Sequence, residues 1–150
     1  MHVVFICSGN ICRSPVAEKV FRARLADAGL TDAVQVSSAG IGPWHAGEPM
    51  DRRAADTLRG RGYDTRHTAR QIDGELLAAD LLVAATSDHV RDLVAAGADP
   101  ERVVLLRAFD PDAPEGAEVP DPYYGGPDGF DEVMDMVEAA MPGLVARVAP

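Results

Sequence analysis

Short apolar segments alternate with segments of helical periodicity along the whole chain. Four runs at residues 2–6, 34–37, 80–85 and 102–106 are apolar enough and short enough to predict buried strands. Helical spacing follows each of them, over about 15–28, 50–61 and 87–96, and in a last segment with apolar residues at Phe130, Val133, Met134, Val137 and Met141. Buried strands that alternate with helices predict a parallel sheet.

This pattern predicts an α/β fold of three layers, with a four-stranded parallel sheet between helices on both faces. The length of 150 residues suits a single domain over 1–150, which would bury roughly 70% of its unfolded surface. Ligands of such folds bind at the carboxyl ends of the strands. The loop after the first strand is therefore the first place to look for a site, and residues 109–129, rich in Pro and Gly, predict a long surface loop.

Composition and charge exclude several classes of protein. A formal net charge of −10 argues against general nucleic-acid binding and against a polybasic membrane-surface protein. Two cysteines are too few for a disulfide scaffold or a Cys-rich zinc site, and the four histidines form no ligand cluster, so we expect no metal and no other cofactor. No apolar run reaches the ~18 residues of a membrane span, and a signal sequence is not recognisable, so the expected location is the cytoplasm.

The segment from Cys7 to Ser14 joins the first strand to the first helix. Its sequence, Cys-Ser-Gly-Asn-Ile-Cys-Arg-Ser, lets successive backbone N–H groups curl around an anion, with Gly9 and Asn10 tolerating positive φ. Ser14-Pro15 predicts a helix start, with Ser14 as N-cap, that directs a positive helix end at the same point. Arg13 adds a planar fork suited to two phosphate oxygens, and these groups together favour a Cys7 thiolate. The segment predicts a phosphate cradle with a nucleophile at its base.

These residues resemble the low-molecular-weight protein tyrosine phosphatase family. The matching segments are Cys7-Ser-Gly-Asn-Ile-Cys-Arg-Ser-Pro, Ser37-Ser-Ala-Gly, His67-Thr-Ala-Arg-Gln and Asp121-Pro-Tyr-Tyr-Gly, in the family's order and at its distances. Ser8 is a departure, since Leu or Thr is more usual there. The resemblance implies Cys7 as nucleophile and Asp121 as general acid and then general base, with phosphate bound by Arg13 and by loop residues Ser8, Gly9, Asn10, Ile11, Cys12 and Ser14.

The resemblance also implies supporting residues. Asn10 would hold a left-handed conformation, tied by side-chain bonds to His67 and Ser38, and Ser14 would donate a hydrogen bond to the thiolate. Cys12 would form a reversible disulfide with the nucleophile and protect it from over-oxidation. The family's acidic residue after the third strand is Thr86 here, with Asp88 nearby, so a loop-bracing carboxylate is not matched.

Phosphotyrosine is the predicted substrate, because Trp44-His45 and Tyr123-Tyr124 would flank a slot and stack on a flat ring. Related phosphoarginine phosphatases have Thr where Ile11 stands, so the apolar Ile11 favours an aryl phosphate. Arsenate reduction needs further cysteines, and none follows Cys12. An inactive phosphate-binding regulator is the remaining alternative. The expected partners are phosphotyrosine proteins, with inorganic phosphate as product and inhibitor, and the expected state is a monomer.

Overall fold

A parallel sheet in the order β2-β1-β3-β4 forms the middle layer of the molecule. The computed structural model describes residues 1–126 and 128–150. Within them the strands are β1 (His2–Cys7), β2 (Gln35–Gly40), β3 (Leu81–Ala84) and β4 (Val103–Leu105). The α helices are α1 (Arg13–Asp27), α2 (Arg52–Gly60), α3 (Gly74–Leu77), α4 (Ser87–Ala95) and α5 (Gly129–Val148), and 3-10 turns span Pro100–Arg102, Leu106–Phe109 and Pro122–Tyr124.

The helices cover both faces of the sheet because side chains of β1 alternate between two cores. Val3 and Phe5 pack into a large core with α1, α2 and α5, and Val4 and Ile6 pack into a smaller one with α3 and α4. This confirms the predicted three-layer fold. The apolar repeat of the last helix is also confirmed, since its five predicted positions are all buried.

The switch point of the sheet lies at β1. The chain passes from β1 to β2 on one side and later to β3 on the other, so the carboxyl end of β1 lies between two diverging connections. The Cys7–Ser14 loop leaves the sheet at this point. The position that sequence reasoning singled out for a ligand is therefore where the topology opens a crevice.

The predicted start of α1 was wrong. The helix begins at Arg13 with Cys12 as N-cap, so Ser14 is the second helical residue and does not cap the helix through its side chain. Its hydroxyl is instead directed to the loop, as described below. The end of the helix is as predicted: Gly29 has φ of 70°, and Leu30 N–H donates to Leu25 C=O at 2.8 Å.

The sequence pattern did not reveal two 3-10 turns, one leading into the segment predicted as a long loop and one within that segment. The turn Leu106–Phe109 directly follows β4, and the turn Pro122–Tyr124 begins after Asp121. Residue 127 of the predicted 109–129 loop lies outside the described residues. The missed helix α3 is only four residues long, too short for a periodic signal.

Candidate active site

The Cys7–Ser14 loop surrounds the carboxyl end of β1 with free backbone donors. Within the described part of the chain, the N–H groups of residues 8–12 donate no hydrogen bond, although Asn10, Ile11 and Cys12 are buried. Buried amides normally have a partner. Five successive unpaired amides beside the first turn of α1 therefore form an arrangement suited to an anion.

The thiol of Cys7 lies at the base of this loop and contacts one hydroxyl. Cys7 Sγ is 3.0 Å from Ser14 Oγ, and both side chains are buried. Asn10 Nδ2 donates to Ser14 Oγ at 2.8 Å, so the hydroxyl oxygen already accepts a hydrogen bond. The Ser14 proton is consequently free to point at Cys7 Sγ, where it stabilises a thiolate.

Asn10 holds the loop in its curled form. Its φ of 61° is the only positive value of a non-glycine among the described residues, and the residue is fully buried. Asn10 Nδ2 also donates to Ser38 Oγ at 3.0 Å, and Asn10 Oδ1 accepts from the Arg70 N–H at 3.0 Å. A left-handed Asn is tolerated when its side chain is bonded locally, and these three bonds supply that support.

His67 reaches the same residue by a different route from the one expected. Its Nε2 is 2.7 Å from the backbone carbonyl of Asn10, not from the side chain, so Nε2 carries the proton and donates. Burial lowers the pKa of His67 and outweighs the opposing effect of this hydrogen bond.

Gly9 does not use positive φ. Its missing side chain leaves room for the His45 ring, because a Cβ added at Gly9 would lie 2.7 Å from His45 Cδ2.

Arg13 and Asp121 meet at the cavity although 108 positions separate them. Arg13 Nη1 donates to the Val119 carbonyl at 3.0 Å, and Arg13 Nη2 lies 3.7 Å from Asp121 Oδ2. Asp121 Oδ1 accepts from the Tyr123 N–H at 3.0 Å as N-cap of the 3-10 turn. The Arg13 Nε–H is buried and has no partner among the described residues. An anion in the loop would supply the missing acceptor.

One cavity of about 510 Å³ brings the predicted groups together. Its lining comprises Cys7, Ser8, Gly9, Ile11, Cys12, Arg13, Trp44, His45, Asp121, Tyr123 and Tyr124. The remaining predicted residues, Asn10, Ser14, Ser38 and His67, are not part of this lining and support the loop from behind. Trp44 and Tyr124 are the most exposed of the aromatic side chains, at 66% and 87%. An exposed aromatic wall around a polar base suits a substrate with a flat ring and a charged end.

His89 is a contact of the loop that sequence reasoning missed. It is buried, its Nε2 lies 2.9 Å from Ser8 Oγ, and its Nδ1 lies 3.1 Å from Thr86 Oγ1. Burial, and then the positive charge of Arg13, lower the pKa of His89 to about 4, so its ring is neutral. Asp88 is directed away and pairs with Arg91. The loop is thus braced by a neutral imidazole, and nothing in the local sequence links positions 8 and 89.

Cys12 has a different environment from Cys7. It is buried, and burial, with the nearby Asp51 carboxylate next, raises the pKa of its thiol far above the usual range. Both cysteines are free thiols. At neutral pH the Cys12 thiol stays protonated, which suits a role other than nucleophile.

Two kinds of feature are absent from the described residues. No group of three or more His, Cys, Asp or Glu side chains in residues 1–126 and 128–150 is arranged to hold a metal ion. In the same ranges, no helix has the length and apolar character needed to cross a membrane.

Comparison with known proteins decides the family. Residues 2–150 match the model of the low molecular weight phosphotyrosine protein phosphatases. The chain belongs to this family. It is 52% identical over 145 residues to low molecular weight protein-tyrosine phosphatase A of Mycobacterium tuberculosis, covering 96% of this chain and 89% of the relative.

Two solved structures extend the comparison of this family member. A protein tyrosine phosphatase from Entamoeba histolytica superposes with a TM-score of 0.93 at 31% identity, covering 99% of this chain and 96% of that one. The arginine phosphatase YwlE, solved with a phosphorylated active-site serine, superposes with a TM-score of 0.88 at 27% identity, covering 99% and 95%. The fold is thus shared by phosphatases named for two different substrates, and the choice between them depends on the site.

Proposed function

We propose that this chain hydrolyses phosphotyrosine in proteins, and small aryl phosphates, through a phosphocysteine on Cys7. The observation that carries the proposal is that Cys7, Arg13 and Asp121 all line the same cavity, with Arg13 and Asp121 3.7 Å apart. A nucleophile, a charge-stabilising group and a proton donor are the three requirements of phosphate-monoester cleavage.

The first chemical step forms the Cys7 S–P bond and breaks the P–O bond to the leaving phenol. The Cys7 thiolate attacks phosphorus in line, and the protonated Asp121 carboxyl gives its proton to the departing oxygen. Asp121 Oδ1 already accepts the Tyr123 N–H, so Oδ2 is the oxygen left to hold that proton. Arg13 and the unpaired amides of the loop bind the three equatorial oxygens and stabilise their charge.

The second step reverses these roles. Asp121, now a carboxylate, removes a proton from water, and the water oxygen attacks phosphorus while the S–P bond breaks. The electron pair returns to Cys7 Sγ as thiolate, and inorganic phosphate leaves. The Ser14 hydroxyl supports both steps, because its proton stabilises the thiolate before attack and after departure. Phosphate, as the product, is expected to inhibit by binding the same loop.

Phosphoarginine is the competing substrate, since an arginine phosphatase shares the fold. Ile11 favours the aryl group: it lines the cavity with Trp44 and Tyr123 and offers no polar atom to a guanidinium. The test compares kcat/KM for a phosphotyrosine peptide and for the same peptide with phosphoarginine, in wild type and in Ile11→Thr. We expect a preference for phosphotyrosine that Ile11→Thr reduces. A wild-type preference for phosphoarginine would overturn the proposal, and Cys7→Ser is the inactive control.

Three further properties belong to the proposal. Cys12 serves as the redox guard of Cys7, forming a disulfide after oxidation of the nucleophile. The protein acts as a monomer, which sedimentation in solution tests. It acts in the cytoplasm, and its substrates are phosphotyrosine proteins. The substrates are tested by capture from a lysate of its own cells with Asp121→Ala, and Cys7→Ser/Asp121→Ala is the matched control.

A further inference from the structure

Arg53, in the first turn of α2, connects three segments at the rim of the cavity. Its Nε and Nη2 donate to the two carboxylate oxygens of Asp51 at 3.1 and 3.0 Å. Its Nη1 donates to the backbone carbonyl of Tyr123 at 3.2 Å. The guanidinium carbon lies 5.3 Å from the centre of the Tyr123 ring and 4.8 Å from that of Phe130, the second residue of α5. Arg53 itself is not part of the cavity lining.

Each end of this connection is bonded to a reacting segment. On one side, the Asp51 N–H donates to the Ile11 carbonyl of the Cys7–Ser14 loop at 2.8 Å. On the other, the Tyr123 N–H donates to Asp121 Oδ1 at 3.0 Å. The Tyr123 residue is therefore held at its carbonyl by Arg53, while its amide holds the carboxyl that the proposed mechanism protonates.

The type of side chain matters for this connection. The planar fork of Arg makes two parallel bonds to Asp51 and still has an Nη1–H for Tyr123, whereas Lys has a single point of charge. Asp51 is the partly buried member of the pair, with 11% of its side chain exposed. Its pKa is lowered, because the hydrogen bonds from Arg53 outweigh the opposing effect of burial. Asp51 thus remains a charged anchor at neutral pH.

We infer that Arg53 is a positioning residue for the general acid Asp121. It fixes the Pro122–Tyr124 turn, which follows Asp121, relative to the Cys7–Ser14 loop. The inference rests on the proposed function, because it assigns Arg53 a role through Asp121. Loss of Arg53 frees the Tyr123 carbonyl and lets the turn that carries Asp121 shift, while the Cys7–Ser14 loop keeps its own bonds through Asn10 and Ser14. The defect is then confined to proton donation and does not extend to phosphate binding.

The experiment measures kcat/KM for a series of aryl phosphates whose leaving phenols have increasing pKa values. Proton donation matters most for the poorest leaving groups. Arg53→Met keeps an apolar stem against Phe130 but removes the fork, and Arg53→Lys keeps the charge without the fork. Arg52→Met is the matched control, because the neighbouring Arg52 side chain is 94% exposed. Asp121→Asn is the reference for complete loss of the acid, and the inhibition constant of inorganic phosphate reports on the loop.

For Arg53→Met we expect little loss with the best leaving group and about 10- to 100-fold loss with the worst, a part of the 10²- to 10⁴-fold that a general acid contributes. Arg53→Lys should fall between wild type and Arg53→Met, Arg52→Met should match wild type, and phosphate inhibition should stay within about two-fold, since its contacts in the loop are intact.

Two results would overturn the inference. A loss in Arg53→Met or Arg53→Lys that is equal for all leaving groups, or that comes with weaker phosphate inhibition, would place the effect in the loop as a whole. No change in either variant would make Arg53 a rim contact only. If Asp121→Asn itself shows no leaving-group dependence, the general-acid role fails instead. If kcat/KM falls steeply with the pKa of the leaving phenol in Asp121→Asn but not in the Arg53 variants, only the role of Arg53 is rejected.

Discussion

Gly40, the last residue of β2, is the position where one methyl group should act most directly on the Cys7–Ser14 loop. A Cβ built at Gly40 lies 2.7 Å from the Ser8 carbonyl oxygen, 3.0 Å from Gly9 C and 3.1 Å from Asn10 N. All three are backbone atoms, so no side-chain rotation relieves the contact. This close approach explains why the Ser37-Ser-Ala-Gly segment ends in glycine beside the loop.

The size of the effect follows from these distances. Ordinary contact begins at 3.4 Å, so Gly40→Ala must move the loop backbone by about 0.7 Å at its closest point. Overpacking of this kind costs about 1–3 kcal/mol of unfolding free energy. A displacement near 1 Å between reacting groups lowers the rate by about 10²-fold. We therefore expect Gly40→Ala to lose both stability and kcat/KM, with weaker inhibition by phosphate.

The assay combines urea unfolding, kcat/KM on a phosphotyrosine peptide and the inhibition constant of phosphate. Gly60→Ala is the matched control: Gly60 ends α2, and a Cβ there meets nothing within 4 Å. That change should stabilise the protein by about 0.5–1 kcal/mol and leave kcat/KM unchanged. If Gly40→Ala lost stability but kept wild-type kcat/KM and phosphate inhibition, the loop would not be held against β2 and the reasoning would be refuted.

Two further predictions concern pH and oxidation. Because His89 has a folded pKa of about 4 against about 6.5 in the unfolded chain, its contribution to stability is lost as pH falls through this range, by about 2 kcal/mol between pH 7 and pH 5. Urea unfolding should therefore show the difference between wild type and His89→Gln shrinking from pH 7 to pH 5, and a constant difference would contradict a neutral buried His89. After peroxide treatment, wild type should regain activity with a thiol reductant, whereas Cys12→Ala should not. Because the pKa of the Cys12 thiol is raised, the Cys7–Cys12 disulfide should form faster as pH rises. Equal recovery of both proteins, read by activity and by mass spectrometry of Cys7, would exclude the guard role.

The fold and the residues of the cavity could be predicted because their signals are local or belong to a matching motif. The alternation of strands and helices depends on nearby apolar residues, and the Cys7–Ser14 segment contains cysteine, glycine and arginine within one short stretch. Asp121 was reached only through the resemblance, since an isolated Asp-Pro in a loop is most often a turn.

The contacts that were missed depend on pairs far apart in the sequence. Ser is a residue type typical of N-caps, but the loop geometry places Ser14 inside the helix. Its hydroxyl there makes hydrogen bonds with Cys7 and Asn10. The bond between Ser8 and His89 spans 81 positions, and no periodicity encodes it. Strand β2 was predicted to end at residue 37 because residues 38–49 are rich in Gly and Pro, yet pairing with β1 extends it to Gly40.

The covalent step is the central claim of the proposed mechanism, and trapping it is the most direct test. Asp121→Ala should be mixed with a phosphotyrosine peptide, quenched in acid and examined by intact-protein and peptide mass spectrometry. We expect one added phosphoryl group, mapped to Cys7, that is absent from Cys7→Ser/Asp121→Ala. Turnover of the peptide by wild type with no phosphoryl group on Cys7, or with the group on another residue, would contradict the account.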